Sequence, residues 1–321
     1  MRTSGALLAA CFALVPWTAG VAAPAPDEPA SVSGTLQAGG LARTYHLYRP
    51  PELAGATSAP LVVVLHGGFG HGTGAERLYH WDAAARRHRF VVVYPDGIGT
   101  TWNAGSCCGT AARRNIDDVG FLSALVQRLE DEIGIDPRRV YVTGMSNGAI
   151  MAYRMACEAP FPIAAIGPVA GTLGVPCDRA RPTSVLHIHG SADRNIPFGG
   201  GVGIGFERGA RLAVPEALAR WRELDRCAQP VTTTEGAVAT QRSDCAGGRV
   251  VELITIAGAG HQWPGGERGT VQSILGMPLD APSTALDATE TLWTFFATQI
   301  APPAARVSRS GRLCNPRSAG L

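Results

Sequence analysis

The chain offers one obvious nucleophile, Ser146, set in the pentapeptide Gly144-Met145-Ser146-Asn147-Gly148. A serine hydroxyl attacks poorly unless a base takes its proton and a third group orients that base. With 40 glycines in 321 residues, a Gly-x-Ser-x-Gly can arise by accident, so its flanks must decide. Val140-Tyr141-Val142-Thr143 is a β-branched run of strand type. Residues 147–157 hold no proline and no glycine beyond Gly148, as a helix requires. A strand entering a helix through such a turn lifts the hydroxyl above the sheet edge.

The base is sought among eight histidines. His187 and His189 alternate within a strand and read as packed or edge residues, and His46 lies in an early hairpin. His80 and His88 lie in or beside a helical region, while His66 and His71 belong to a glycine loop. His261 ends "ITIAGAGHQWPGG", a glycine-rich loop directly after the last strand, and is the expected base. The orienting acid should follow an intervening strand, and "VLHIHGSADRNIPFGGG" puts Asp193 there, with Asp178 and Asp225 as fallbacks. Ser146, Asp193, His261 is the chain order of α/β-hydrolase triads.

A tetrahedral intermediate also needs donors for its oxyanion. The Asn147 N–H at the helix start is one, and Gly68 or Phe69 in "HGGFGHG" (66–72) supplies the other. Trp102 and Trp263 sit in loops at the same edge, as either a substrate-facing aromatic wall or packing. Asp117-Asp118 reads as a helix N-cap. The glycine cluster 198–212 follows no strand into a helix, so it reads as a mobile loop beside the acid rather than a phosphate cradle.

These residues need a sheet to bring them together. "PLVVVLHGG" (60–68), "FVVVYPDG" (90–97), the run before Ser146, "PIAAIGPVAG" (162–171), "TSVLHIHG" (183–190) and "RVVELITIAG" (249–258) are apolar strands. Helical patterns alternate with them, including "DDVGFLSALVQRLEDEIG", "VPEALARWREL" and "LDATETLWTFFATQI", the last opened by Asp287 and Glu290 at capping-box spacing. This predicts an α/β fold with a mainly parallel sheet covered on both faces. An antiparallel hairpin turning at Gly39-Gly40 should border one edge.

Residues 1–25 carry one early arginine, an apolar stretch and a small-residue end, the pattern of a signal peptide, so the mature chain is expected to be secreted or periplasmic. Residues 33–300 form one catalytic domain, and 301–321 a disordered basic tail with four arginines and no acid. A net charge of +2 with no long basic run argues against nucleic acid. Nothing suggests stable membrane association. Of eight cysteines, Cys11 falls in the leader and Cys314 is left over. Cys227 and Cys245 are the expected disulfide, and Cys107 or Cys108 is expected to pair with Cys157 or Cys177, since adjacent cysteines bridge only with strain. No Cys/His spacing suits a metal, and no cofactor is expected.

The motifs "GMSNGA", "HGGFGHG", "WNAGSCCG", "IDDVGF", "HIHGSAD" and "GAGHQWPGG" together resemble the secreted polyhydroxybutyrate depolymerase-like esterases. That group is similar to the feruloyl and acetylxylan esterases of carbohydrate esterase family one. The resemblance spans 33–300 and implies an α/β-hydrolase with Ser146 as nucleophile, Asp193 as acid and His261 as base. Many polymer depolymerases of the group have His-Gly-Cys where this chain has His66-Gly67-Gly68. They also often carry a downstream polymer-binding domain, whereas a short basic tail is read here, so attack on crystalline polyester is not expected. The expected substrates are phenolic or acetyl esters of plant-wall carbohydrate, or short hydroxyalkanoate esters. A non-catalytic polymer- or glycan-binding homologue and a serine peptidase are the competing readings.

Overall fold

A computed structural model describes residues 31–177, 180–205, 209–268 and 280–303. The expected leader, most of the basic tail, Cys11, Cys314 and the fallback acid Asp178 lie outside the described residues.

The chain opens with β1 (Val32–Ala38) and β2 (Leu41–Tyr48), an antiparallel hairpin whose turn, Gly39-Gly40, has positive φ at both residues. Next come β3 (Ala59–Leu65), the helices α1 (Gly72–Tyr79) and α2 (Trp81–His88), and β4 (Val91–Pro95). After the short α3 (Gly109–Arg113), α4 (Asp118–Ile133) leads into β5 (Ile135–Met145), α5 (Asn147–Glu158), β6 (Ala165–Val169) and β7 (Ser184–Gly190). A two-stranded ribbon of β8 (Gly201–Val202) and β9 (Ala210–Arg211) precedes α6 (Val214–Leu224). The chain continues through β10 (Val231–Glu235), β11 (Val238–Asp244) and β12 (Val250–Ile256) to α7 (Ala288–Phe296).

Ten strands form one sheet in the order β1-β2-β4-β3-β5-β6-β7-β12-β11-β10. The six central strands from β4 to β12 are parallel, and antiparallel pairs close both edges. β3, β4, β6 and β7 are buried along their whole length, because the sheet is packed on both faces and neither face can be polar. One apolar cluster joins Phe121, Leu125 and Tyr153 with alternate sheet residues. The other joins Trp81, Phe90, Tyr141 and Phe296 with the opposite set.

The hairpin β10–β11 at the far edge is not foreshadowed by hydrophobic alternation. Every residue of β10, Val-Thr-Thr-Thr-Glu, is exposed, so its sequence has no apolar face to display. Gly236 at positive φ makes its turn. Within the glycine cluster 198–212, residues 201–202 of β8 pair with residues 210–211 of β9.

Cap chemistry follows the sequence at two helices. Asp117 accepts the Gly120 N–H at 2.8 Å, and Asp287 accepts the Glu290 N–H at 3.0 Å. Glu290 does not return a capping-box bond from its side chain; its carboxylate binds Arg87 and His88 of α2 instead. Disulfides join Cys227 to Cys245, Cys157 to Cys177, and Cys107 to its neighbour Cys108. The last two correct the expected pairing. Cys157 at the end of α5 lies 5.2 Å from Cys177 between Cα atoms, so neither is available to Cys107 or Cys108.

Candidate active site

Ser146 joins β5 to α5 with φ 57° and ψ −119°, a backbone conformation that L-residues avoid. The flanking glycines make that turn possible. A Cβ on Gly144 would stand 2.6 Å from the Leu65 carbonyl oxygen and 2.8 Å from the Gly148 backbone. A Cβ on Gly148 would run into the carbonyl oxygens of Leu65 and His66. The helix start is thereby pressed against the end of β3, and Gly67 comes within contact of the Ser146 side chain: a Cβ on Gly67 would stand 3.6 Å from that of Ser146. The Ser146 N–H donates to Val169 at the end of β6, and its carbonyl accepts the Ile150 N–H.

Asp193 and His261 follow β7 and β12, which are adjacent and parallel. Their loops are stitched together where the Ala192 N–H donates to the Ala259 carbonyl at 2.9 Å. His261 Nδ1 lies 2.8 Å from Asp193 Oδ2, and both residues are buried. The carboxylate can only accept, so the proton sits on Nδ1 and the lone pair on Nε2 is left for another donor. Asp193 Oδ1 also accepts the N–H groups of Asn195 and Ile196, each at 2.9 Å. The attraction of His261, with hydrogen bonds from His189 and His261, outweighs burial and holds the Asp193 carboxyl far below the usual range. Asp280 Oδ2 accepts the His261 backbone N–H at 2.7 Å, fixing the histidine from behind.

The fallback Asp225 belongs elsewhere. It is buried at the end of α6, 3.5 Å from Arg249, and burial pushes its carboxyl up to about 6.

The loop after β3 is built around His66. The Gly97 N–H donates to His66 Nε2 at 3.0 Å, so the proton is on Nδ1, which donates to the Gly67 carbonyl at 2.7 Å. Burial lowers this imidazole to about 4, which keeps it neutral in that role at neutral pH. The Phe69 N–H is bonded to the Thr100 carbonyl at 2.8 Å, which corrects Phe69 as an oxyanion donor. Gly68 remains the candidate in this loop. Asn147 is the first residue of α5, where N–H groups have no partner within the helix.

Both candidate aromatic walls are buried, which corrects their reading as substrate-facing surfaces. Trp102 donates from Nε1 to the His66 carbonyl at 3.0 Å. Trp263 stacks on Tyr79 with ring centroids 4.3 Å apart and donates to Thr289 Oγ1. Each indole therefore has its N–H satisfied inside the protein and supports a loop rather than presenting a face.

Several supporting roles are not legible from the motifs in which Asn147, Asn103 and Asp118 stand. The Asn147 side chain holds the Trp102 backbone. Asp118, buried against Arg43 at 2.6 Å, accepts the Asn103 N–H at 2.7 Å, while Arg154 donates to the Asn103 carbonyl at 2.6 Å. The one legible signal was the pair of histidines two residues apart in β7, which share a strand face. Among the described residues, no group of three or more His, Cys, Asp or Glu side chains is arranged to hold a metal.

The family described as Esterase PHB depolymerase matches residues 43–193. A putative esterase, NocK, of Nocardia uniformis subsp. tsuyamanensis is 34% identical over 275 residues, covering 77% of this chain and 79% of that protein. Feruloyl esterase C of Emericella nidulans is 28% identical over 277 residues, covering 84% and 88%. Among solved structures, an acetyl xylan esterase from Aspergillus awamori superposes with a TM-score of 0.52 at 19% identity, over 68% of this chain and 89% of that one, which speaks for the fold. With its α/β-hydrolase architecture and these matches, the chain belongs to the PHB depolymerase-like esterase family and is a carboxylesterase.

Proposed function

We propose that this carboxylesterase is an exported serine enzyme working through Ser146, His261 and Asp193. The observation that carries the reading is the 2.8 Å bond from His261 Nδ1–H to the Asp193 carboxylate, in loops at the same carboxyl-terminal sheet edge as a serine on a strained strand-to-helix turn. His261 Nε2 takes the hydroxyl proton as Ser146 Oγ attacks the ester carbonyl carbon. The oxyanion receives the N–H groups of Gly68 and Asn147, at the positive end of the α5 dipole. Collapse breaks the ester C–O bond, and His261 returns the proton to the departing alkoxide. A water then gives a proton to His261 and attacks the acyl-serine; collapse breaks the acyl C–O bond, and His261 returns the proton to Ser146 Oγ as the acid leaves.

The substrates are phenolic or acetyl esters of plant-wall carbohydrate, or short hydroxyalkanoate esters. The names of the relatives, feruloyl esterase among them, support that range. Export is supported by the leader-like residues 1–25 and by the disulfides among the described residues. The test is a turnover panel of short p-nitrophenyl esters, methyl ferulate, acetylated xylan and hydroxybutyrate oligomers. Ser146→Ala and labelling by an active-serine phosphonate run beside it. Turnover and labelling that vanish together in the variant establish the nucleophile, and the preferred ester fixes the substrate class. A folded wild type that neither turns over nor labels overturns the proposal.

A further inference from the structure

Behind Asp193 runs a buried line of three hydrogen-bonding side chains that the reaction above does not use. Tyr153 on α5 lies 2.9 Å from His187 Nδ1, His187 Nε2 lies 3.0 Å from His189 Nδ1, and His189 Nε2 lies 2.9 Å from the Ile196 carbonyl. His189 Nε2 is also 3.4 Å from Asp193 Oδ2. All three side chains are essentially inaccessible to solvent.

The direction of every bond follows from the end of the line. A carbonyl and a carboxylate can only accept, so His189 carries its proton on Nε2. With the ring neutral, its Nδ1 is then an acceptor, which requires His187 to donate from Nε2 and to accept at Nδ1 from the Tyr153 hydroxyl. Burial holds His187 well below the ordinary imidazole range, in keeping with a neutral ring. Three N–H and O–H dipoles thus point the same way, toward Asp193.

We propose that His189 is a positioning residue for the esterase reaction, holding the Asp193 carboxylate in orientation and dividing its charge with His261. The proposal rests on the roles given above to Asp193 and His261. His189 acts on both carboxylate oxygens. At Oδ2 it offers a second N–H beside that of His261. At Oδ1 it acts through Ile196, whose carbonyl it binds and whose N–H donates to that oxygen at 2.9 Å. His187 and Tyr153 fix the tautomer that this requires. A core filler would need none of this polarity, and leucine would pack there at no desolvation cost.

The groups facing the line are few. His189 meets His187, Asp193 and the edge of the Phe198 ring; Tyr153 meets Trp221 and feels the charge of Arg222. His261 faces Asp193, and Asp280 binds its backbone.

The test compares His189→Leu, His189→Gln and Asp193→Asn with wild type on a p-nitrophenyl ester across pH. Gln keeps an N–H near the Nε2 position, whereas Leu removes it. With the donor gone, more of the Asp193 charge acts on His261 and the carboxylate loses a restraint. For His189→Leu, kcat should fall roughly 10- to 100-fold with KM changed less than about threefold. The acidic limb of its kcat/KM profile should rise by about half a pH unit. His189→Gln should recover most of kcat and the wild-type limb. A folded His189→Leu enzyme with wild-type kcat and limb overturns the proposal, and so does a Gln variant no better than Leu. Asp193→Asn separates the two readings. If it keeps full activity the assignment of Asp193 has failed, whereas if it is inactive beside an unaffected Leu variant only the role of His189 has failed. Should the Leu variant not fold, the wild type decides by its ¹⁵N-histidine correlation spectrum. Neutral Nε2–H tautomers for His187 and His189 support the proposal, and an Nδ1–H tautomer at His189 overturns it.

Discussion

Asn147 grips the Trp102 backbone at both polar groups, accepting its N–H at Oδ1 over 2.7 Å and donating from Nδ2 to its carbonyl over 3.0 Å. The first residue after the candidate nucleophile therefore fixes the loop whose indole supports the His66 carbonyl.

Truncating that grip should cost stability. In Asn147→Ala the Trp102 carbonyl still accepts the Cys108 N–H, but the Trp102 N–H is buried without its partner. The expected loss is about 1–3 kcal/mol, read from urea unfolding. Since alanine keeps the backbone N–H of residue 147, esterase activity should fall only as far as the loop shifts.

Gly148→Ala inverts the usual helix rule. In an open helix the change is stabilising by up to about 1 kcal/mol. Here the new methyl meets the backbone oxygens of Leu65 and His66, which cannot move without displacing β3 and the loop after it. We expect a loss of more than about 3 kcal/mol and poor soluble yield. Wild-type thermal stability would show that strand and helix are not in such close approach.

Ser146→Gly should be inactive yet more stable. A residue held in a disfavoured backbone region stores about 1–3 kcal/mol, and glycine adopts φ 57° freely. Against this stands about 0.4–1 kcal/mol of added unfolded-state entropy. The net expectation is a gain of about 1 kcal/mol in denaturant unfolding, paired with loss of turnover.

Asp225 gives a pH signature. Its folded carboxyl titrates at about 6, above the ordinary 3.8, because burial outweighs the attraction of Arg249. Between about pH 4 and 6 the folded chain holds a proton the unfolded chain has released, so this group's contribution is lost as pH rises through that window. Asp225→Asn does not titrate. The stability of the variant relative to wild type should therefore grow by about 2 kcal/mol between pH 4 and pH 7. A constant difference across those pH values would contradict the raised titration.

Much of the fold and of the candidate site was legible along the chain. Uninterrupted runs such as Leu61–Leu65 and Val91–Val93 can only be buried on both faces, which dictates a covered parallel sheet. Glycine and proline punctuation then placed Ser146, Asp193 and His261 just beyond strand ends. The hairpin of residues 231–244 left no such trace, because an exposed edge needs no apolar face.

Determined by the sequence itself were the chain order of the three candidate residues, the strand types beneath them and the glycines a sharp turn demands. Tertiary structure alone decided which polar atoms meet. Phe69 N–H went to Thr100, Trp102 turned inward to His66, and Cys157 paired with Cys177. His189, readable only as a strand histidine, came to stand behind Asp193. Strand and helix periodicity is written locally, by the rotation of side chains about one element. A hydrogen bond between residues tens of positions apart depends on how separate elements pack, and no local pattern encodes that.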